Sequence, residues 1–581
     1  MPASSRATRS SLVRAGRVAA CALIGLAGCV APGAEAPQSI ARGGQLVVAE
    51  RSAPRTFNPV LVIDNFSRTI QERLFADLVH INRQTLRTEP SLATSWTVTP
   101  DGRTYTMKLR PGLKFSDGHP FTADDVVFTF DVYLDEKVHA PQRDLLIVGG
   151  KPIEVRKKDD TTVTVTLAEP YAVADRMFDG ISILPKHLLA DAHAAGTIAR
   201  AWGLDTPPAS IAGLGAFRLK EYVPGERVVL ERNPYYWKRD ARGGALPYLD
   251  RLVFEVVPSP DTEFLRFQSG GLDVMSRLTA EQFGSLAPSN PNYRAVNAGP
   301  GLEYNFLFFN LNDAPAASPD VARKLGWFRQ EAFRHAVSAA IDRQAVVSLV
   351  YRGLAEPLWG PITRGNRAWL NDRVPRPPRS LDRARALLKG AGFTWRDDGT
   401  LLDRAGTPVA FSVMVQAGSQ PRRQMATVIQ NDLAQIGIGV SIAPLDSGAL
   451  QNRVLNTRDY DACILGILSG DADPNTDINI WLSSGAQHFW RPSGASAATP
   501  WEAAIDSLMR QQMAARAVPD RKKMFDSVQA LLAEHEPMIF LASPDILVAA
   551  KATLGNFTPA ILPHYALWNV DELYWRPASG G

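Results

Sequence analysis

The sequence predicts a mixed α/β protein, and three observations support that class. Short apolar strands alternate along the chain with amphipathic helices, which is the pattern of layered α/β folds. Glycines and prolines separate these segments at turn positions. The chain has 581 residues, of which 45% are apolar and 21% are charged, so it can bury large cores in several domains.

The first half of the chain contains clear strand patterns. Gln45–Ala49 is the first predicted strand. Over 104–110, large apolar residues alternate with polar ones, as expected for a strand with one buried face. Pro111 and Gly112 then turn the chain, and another short strand is predicted over 113–115.

The first predicted helix begins at a pair of adjacent carboxylates. Thr122 reads as its N-cap and Asp125, three residues later, as the partner in a capping box. The helix dipole favours negative charge at this end, so Asp124 and Asp125 are interpreted as a helix start rather than an acid/base pair. The apolar residues that follow at helical spacing form one buried stripe: Val126, Phe130 and Tyr133.

Four more helices are predicted in the second half of the chain. We predict them over 333–341, from an N-cap at Ser380 to Gly392, from Met425 to Gly437, and from Asp520 to the residue before Pro537. The third of these leads into a strand over 438–442. Helix–strand succession of this kind agrees with the α/β class.

The N-terminus has the composition of a lipoprotein signal peptide. Residues 1–28 carry four arginines and no acid, and the apolar run 18–27 is too short to span a bilayer. The run ends in Leu26-Ala27-Gly28-Cys29, a bacterial lipobox in which Cys29 accepts the lipid. An ordinary secretory signal is the alternative. Residues 29–43 then form a flexible tether rich in glycine and proline.

Charge and cysteine content exclude some classes of protein. Removing residues 1–28 takes away four arginines and lowers the formal net charge from +4 to zero, which argues against a nucleic-acid partner. If Cys21 leaves with the signal and Cys29 is lipidated, as we expect, Cys463 remains alone and no internal disulfide is expected. Cys463 lies in an apolar run and is predicted to pack as a small hydrophobic residue.

Motifs of enzymes and metal sites are missing from the sequence. It has no His-Glu-x-x-His helix, Cys-x-x-Cys pair, phosphate-binding glycine loop or Gly-x-Ser-x-Gly elbow. The nine histidines are scattered, so we expect no catalytic residues, no metal site and no cofactor. The basic groups Arg422-Arg423 and Arg521-Lys522-Lys523 are interpreted as solvated helix starts, with a role in docking a permease as the weaker alternative.

Several segments resemble one known family, in the same order along the chain. The segment PSLATSWTVTPDGRTYTMKLRPGLKFSDGHPFTADDVVFTF, at 90–130, is similar to the signature region of bacterial extracellular solute-binding proteins of family 5. These are the oligopeptide-, dipeptide- and nickel-binding receptors of ABC importers. Further matching segments are ILPKHLL, RVVLERNPYYW, LPYLDRLVFEVVPSPDTEFLRFQSGGLDV, FLFFNLN and FRHAVSAAIDRQAVV. The resemblance covers about 44–575.

The resemblance implies a two-lobed periplasmic-binding-protein fold, type II and cluster C, with an extra domain inserted in lobe I. The implied boundaries are 44–74, 206–300 and 545–576 for the discontinuous lobe I, 75–205 for the inserted domain and 301–544 for lobe II. This arrangement would put Asp124 and Asp125 away from the cleft between the lobes.

The resemblance also implies a ligand site, in the segment LGILSGDADPNTDINIWL at 465–482. Peptide-binding relatives hold the peptide α-amino group with an aspartate shortly before an acidic-Pro pair. Asp471, just ahead of the pair Asp473-Pro474, is the nearest match to that aspartate. The match is imperfect, because the gap from Asp471 to Pro474 is one residue shorter than in those relatives. In addition, a Trp that is usual upstream is replaced around Ile467. The alternative is that both aspartates only build a turn.

Five other residues are expected near the cleft. Trp481, Tyr304 and Asn305 are expected cleft neighbours, with a core position as the alternative for Trp481. Asn65 and Phe66 follow the first strand, where loops of lobe I often face the cleft.

These observations predict a receptor that captures its solute without changing it. We expect an oligopeptide or dipeptide as ligand, an ABC permease as partner and a monomer anchored by lipid in the periplasm or at the cell surface. A nickel chelate, an opine or an oligosaccharide is the alternative ligand. A surface-anchored hydrolase, or a sensor or chaperone without a transport role, is the alternative class.

Overall fold

A computed structural model describes residues 40–577 of the chain, except 287–289, 313–318, 493–495 and 564. The predicted signal peptide, the predicted lipobox with Cys29 and most of the predicted tether therefore lie outside the described residues. No helix among those described is both long and apolar enough to cross a membrane.

The largest sheet of the described residues has 12 strands. In spatial order its main path is Phe217–Val223, Arg227–Arg232, Arg251–Val256, Gln45–Glu50, Val274–Met275, Met538–Lys551, Glu303–Phe309, Ala462–Leu468, Ala410–Gln416 and Gly439–Leu445, while Tyr293–Pro300 and Ala355–Pro357 also pair with Met538–Lys551. We call Met538–Lys551 the shared strand, because it pairs with strands on both sides of the sheet's centre.

A separate antiparallel sheet contains the strand predicted from alternation. Its order is Ala93–Val98, Thr104–Leu109, Thr162–Thr166 and Glu154–Asp159. Four small two-stranded antiparallel sheets of the described residues pair Val79–Ile81 with Thr88–Pro90, Ile147–Val148 with Lys151–Pro152, Thr394–Trp395 with Leu401–Leu402, and Leu554–Gly555 with Tyr574–Trp575. The predicted strand at 113–115 is wrong, since only an isolated bridge joins Lys114 to Pro120.

The helices cover the faces of these sheets. They are Asn65–Leu74, Ala123–Leu134, Lys186–Ala194, Pro260–Gln268, Ala280–Ser285, Pro319–Phe328, Glu331–Ala340, Arg343–Ala345, Leu381–Gly390, Gln420–Ala434, Ser447–Gln451, Ile478–Trp481, Pro500–Ala514 and Val518–His535. The four helices predicted in the second half are confirmed with shifted ends. The last begins at Val518 rather than Asp520, because Pro519 fits the first turn of a helix.

The capping box at Thr122 is confirmed in full. The Thr122 hydroxyl accepts from the Asp124 amide at 3.3 Å, and the Asp125 carboxylate accepts from the Thr122 amide at 2.9 Å. Asp125 also accepts from the Lys186 amide at 3.0 Å, and Asp124 pairs with Lys157. The predicted stripe of Val126, Phe130 and Tyr133 is buried.

Two main hydrophobic cores divide the molecule into two lobes. The first core takes residues from Leu46 to Val274 and again from Ile546 to Leu573, and it includes the segment 75–205. The second core runs from Tyr304 to Ala542 and contains the buried Cys463. The shared strand contributes Met538 to Ala542 to the second core and Ile546, Val548 and Ala550 to the first. One continuous strand therefore enters both lobes.

Candidate functional site

The candidate site is the loop 469–481, which follows the strand Ala462–Leu468. The Asp473 side chain caps the short 3-10 helix Pro474–Asp477 by accepting from the Asn475 amide at 3.1 Å. The helix Ile478–Trp481 follows directly. This sequence of tight turns folds the loop back on itself and brings its three aspartates close to one small pocket.

Asp471 forms an ion pair with a residue that is remote in sequence. Arg176 Nε donates to Asp471 Oδ2 at 2.5 Å, and Arg176 Nη2 donates to Oδ1. Arg176 Nη1 is held on its other side by the Leu86 carbonyl at 3.1 Å. Burial raises the pKa of Asp471, and the guanidinium opposes that rise. The pair joins the segment 75–205 to the loop 469–481.

Asp473 has a different, structural role. Both of its oxygens accept from Arg521, Nη1 and Nη2, at 2.8 Å, and the side chains are only 7% and 3% exposed. Arg521 also donates to the backbone and side chain of Gln512 and lies over the ring of Trp369. The interpretation of Arg521 as part of a solvated helix start is therefore wrong: the buried carboxylate draws its guanidinium inward.

Asp477 interacts with two hydroxyl groups. The Ser469 hydroxyl donates to Asp477 Oδ2 at 2.5 Å and the Tyr304 hydroxyl donates to the same oxygen at 3.3 Å. Burial raises the pKa of Asp477, because the ionised form loses solvation and these hydroxyls only partly replace it. Among the three aspartates of this loop, Asp477 is therefore the one whose carboxyl group is stabilised by neutral donors.

A pocket of about 20 Å³ lies under this loop. Its lining includes Asn366 and Trp481 together with Asp471, Asp473 and Asp477. The Trp481 ring is 1% exposed and belongs to the second core, as the alternative interpretation proposed. Within the described residues, Trp481 Nε1 and Asn366 Oδ1 are buried polar atoms without a hydrogen-bond partner.

Asn305 lies in a second polar group, near the start of the strand Glu303–Phe309. Arg422 Nε donates to Asn305 Oδ1 at 3.2 Å, and Arg422 Nη1 donates to Gln416 Oε1 at the same distance. Gly466 approaches both Arg422 and Asn305 so closely that a side chain there would collide with them. Arg422, only 18% exposed, is therefore not a solvated helix start.

Asn65 and Phe66 lie at the start of the helix Asn65–Leu74, which Asp64 caps. Asn65 is exposed, whereas Phe66 is 1% exposed and contacts the ring of Phe254 edge-on. Among the described contacts, none joins either residue to the loop 469–481. Their role in binding stays a prediction.

A cavity of about 140 Å³ lies where the shared strand passes from one core to the other. Arg277, Glu303, Asp545 and Tyr565 are among its lining residues. The Arg277 guanidinium lies 5.4 Å from the centre of the Tyr565 ring. Polar groups from both lobes thus meet at this cavity.

Another cavity, of about 170 Å³, is lined entirely by residues of 71–91, 180–182, 215–216, 236–238 and 567–571. Ligand atoms of Asp77, His80 and Asp179 near it lie within 4.8 Å of one another, a spacing that a metal ion could use. Burial lowers the pKa of His80, but its hydrogen bonds to Asp179 and Asp77 outweigh burial and raise it to about 10. Arg83 also pairs with Asp179 at 3.3 Å. A metal would therefore have to displace a proton, and the expectation of no metal site stays a prediction.

Sequence reasoning missed the residues that partner the acids. Arg176 lies 295 positions from Asp471, and nothing in its neighbourhood singles it out. Arg422 stands out in the sequence only as a member of a basic pair, and Arg521 only as a member of a group of three basic residues. Asn366 lies in the segment RGNRAW, which carries no motif.

Known proteins are similar to this chain in both sequence and fold. Residues 87–489 match the family model described as bacterial extracellular solute-binding proteins, family 5 Middle. The chain is 27% identical over 547 residues to the oligopeptide-binding protein AppA of Bacillus subtilis, with 92% of each chain covered. It is 27% identical over 551 residues to the dipeptide-binding protein of Escherichia coli, with 90% of this chain and 94% of that one covered.

A solved structure of AppA from Bacillus subtilis in complex with a nonapeptide matches with a TM-score of 0.71 at 26% identity, covering 93% of this chain and 100% of that one. The fold and the polar site together define a two-lobed α/β binding protein. The chain belongs to the bacterial extracellular solute-binding proteins of family 5. The predicted family and fold class are therefore confirmed, and the family is one of solute-binding proteins rather than of enzymes.

Proposed function

We propose that this protein captures an oligopeptide or a dipeptide between its two lobes and delivers it unchanged to an ABC permease. One observation carries the proposal: in a chain of the solute-binding family, polar groups of both lobes converge on the loop 469–481. The names of the two relatives, an oligopeptide- and a dipeptide-binding protein, support a peptide as the ligand.

We propose lobe boundaries that follow the hydrophobic cores. Lobe I takes 44–74, 206–300 and 545–576, and lobe II takes 301–544. The second core, which runs from Tyr304 to Ala542, supports this division. The segment 75–205 would be an inserted domain that shares the core of lobe I.

Closure of the lobes would strengthen the binding of a solute at the site. In the described conformation the segment 75–205 already contacts lobe II: the Ala172 amide donates to the Met513 carbonyl at 2.8 Å and Arg516 donates to the Pro100 carbonyl at 2.7 Å. Excluding water between lobes strengthens polar contacts to a bound solute. Main-chain pairing would let such a site accept peptides of many sequences.

The other expected properties follow from this role. We propose lipidation at Cys29, a monomer held at a bacterial membrane in the periplasm or at the cell surface, no nucleic-acid partner and no catalysis. The placement of Asp124 and Asp125 in a capping box supports the absence of catalysis, because their oxygens serve the backbone and Lys157. Among the predicted ligand-binding residues, we propose that Asp471, Tyr304, Asn305 and Trp481 act at or behind the site.

Native mass spectrometry of protein purified from its own host tests the proposal. We expect bound peptide masses and, in calorimetry with synthetic peptides, saturable binding with a stoichiometry near one. Small-angle scattering should show a more compact molecule when peptide is present. A bound chelate or sugar would overturn the peptide assignment, and cleavage of the peptides by the purified protein would overturn the receptor class.

A further inference from the structure

We infer that Asp477, rather than Asp471, pairs with an ammonium group of the ligand, such as the amino terminus of a peptide. This inference rests on the proposed function, because it takes the pocket under the loop 469–481 to be part of the ligand site. It replaces the expectation that Asp471 holds the α-amino group.

The first argument is that two of the three acids of the loop already have cations. Asp471 accepts from two Arg176 nitrogens, and its Oδ1 also accepts from the Ala472 amide at 2.6 Å. Asp473 is bound by both Nη atoms of Arg521. An ammonium group at either acid would have to displace a bidentate guanidinium, whose planar geometry suits a carboxylate better.

The second argument is that Asp477 has no cation among the described residues. Its Oδ2 accepts from the hydroxyls of Ser469 and Tyr304, and no described group donates to its Oδ1. Burial raises the pKa of Asp477, since the neutral hydroxyls only partly replace the lost solvation. An ammonium group would supply the missing opposite charge and would stabilise the ionised carboxylate.

The third argument is the lining of the pocket. Of the described residues that line it, three are acidic and none is basic. Asn366, 4% exposed, donates with Nδ2 to the Ala472 carbonyl at 2.7 Å, which leaves its buried Oδ1 without a described donor. Buried polar atoms are nearly always paired, and an ammonium group carries only donors. The Asp477 carboxylate and Asn366 Oδ1 can therefore both accept from it.

Trp481 Nε1 indicates what adjoins the ammonium group in the ligand. This buried atom can only donate, and no described group accepts from it, so it needs an acceptor that an ammonium group does not offer. In the amino-terminal residue of a peptide, the carbonyl group lies one carbon away from the ammonium group and offers that acceptor. The pocket therefore suits an amino terminus better than a simple amine.

The size of the pocket agrees with an ammonium group. At about 20 Å³ it holds one group of the size of a water molecule. A primary ammonium group has that size, whereas a trimethylated amino terminus is bulkier and has no N–H to donate. A trimethylated terminus should therefore be excluded although it keeps the positive charge.

Calorimetry with matched peptides tests the inference. A dipeptide and a nonapeptide are each prepared with a free amino terminus, without the amino group and with a trimethylated amino terminus, and all forms are titrated into the full chain. For a peptide that binds, we expect the free form to bind more tightly than the other two by about tenfold or more, because they lose a hydrogen-bonded charge pair. A smaller preference would overturn the inference while supporting the proposed function.

Two matched variants identify the acid. Asp477→Asn keeps the shape of the side chain but removes its charge, so we expect the preference for the free form over the form without the amino group to fall by about tenfold or more. Asp471→Asn makes the same change at the neighbouring acid and should retain the preference, whatever its effect on overall affinity. Arg156→Ala, at a 72% exposed position, is the control and should leave the binding of all forms unaffected.

The remaining outcomes are also decisive. If Asp477→Asn does not fold, as judged by circular dichroism, Asp477→Ser carries the same test. A preference that persists without the Asp477 carboxylate, or that is lost in Asp471→Asn, would overturn the inference. If no peptide of any form binds, the proposed function fails and the inference fails with it.

Discussion

Asp471 and Asp473, only two positions apart, have different surroundings. Asp471 lies at the junction between the segment 75–205 and the second core, and its partner Arg176 comes from the other side of that junction. Asp473 lies inside, where its carboxylate accepts hydrogen bonds from Arg521 and from the Asn475 amide, and Gln512 in turn accepts from Arg521. One acid can therefore respond to movement of the lobes, while the other holds the loop in shape.

Replacing Asp473 with alanine should destabilise the protein strongly. The change leaves the Arg521 guanidinium buried and unpaired, which costs about 3–5 kcal/mol in comparable sites. Denaturant unfolding followed by tryptophan fluorescence measures the loss. Asp372→Ala, at an 84% exposed ion pair, is the control and should change stability by less than about 1 kcal/mol. Equal effects of the two variants would contradict the structural role of Asp473.

His80 should make stability depend on alkaline pH. Its pKa is raised in the folded state to about 10 from the ordinary 6.5, so the stabilisation is fully present below pH 6.5 and is lost as the pH rises towards 10. The side chain is 34% exposed, and we expect the loss to be about 2 kcal/mol after screening by solvent. Unfolding of the wild type and of His80→Gln at several pH values measures it, and parallel pH profiles would contradict it.

At the scale of secondary-structure elements, the sequence was sufficient to predict those features that depend on a local pattern of residues. The capping box, the strand Thr104–Leu109 and the N-cap at Ser380 could all be predicted, because each depends on residues within a few positions. The partners of Asp471 and Asn305 could not be predicted, since Arg176 and Arg422 reach them only through the tertiary fold. The inward position of Arg521 depends likewise on a distant carboxylate.

The helix Ala123–Leu134 provides a test of the local signals. Thr122→Ala removes the hydroxyl that caps the helix, and we expect a loss of about 1 kcal/mol in the free energy of unfolding. Thermal denaturation measures this loss. Asp124→Asn is the control, because it changes only a half-exposed ion pair with Lys157 and should have a smaller effect. A larger loss in Asp124→Asn than in Thr122→Ala would contradict the capping role.

At the scale of the whole molecule, the two lobes and the family could be predicted because ordered motifs extend over most of the chain. Which polar residues pair across the junction between the lobes could not be predicted from the sequence, since that pairing depends on how the lobes close. The pairing of Arg176 with Asp471 is the clearest example.

The proposed membrane anchor can be tested on the intact protein. Cys29→Ser removes the thiol that would accept the lipid, so we expect the variant to lose metabolic labelling with a fatty acid and to leave the membrane fraction. Export should still be seen by protease accessibility in the host. A variant that fractionates and migrates like the wild type would contradict the lipobox interpretation.

The shared strand, Met538–Lys551, also has a consequence for biogenesis. It pairs with Val274–Met275, Tyr293–Pro300, Glu303–Phe309 and Ala355–Pro357, all of which are synthesised long before it. Neither half of the large sheet can be completed until residue 551 has emerged, because the shared strand is the last of the described strands of this sheet to be synthesised. A chain with this order of strands cannot complete its large sheet, and so cannot reach its final fold, before the strand Met538–Lys551 is available.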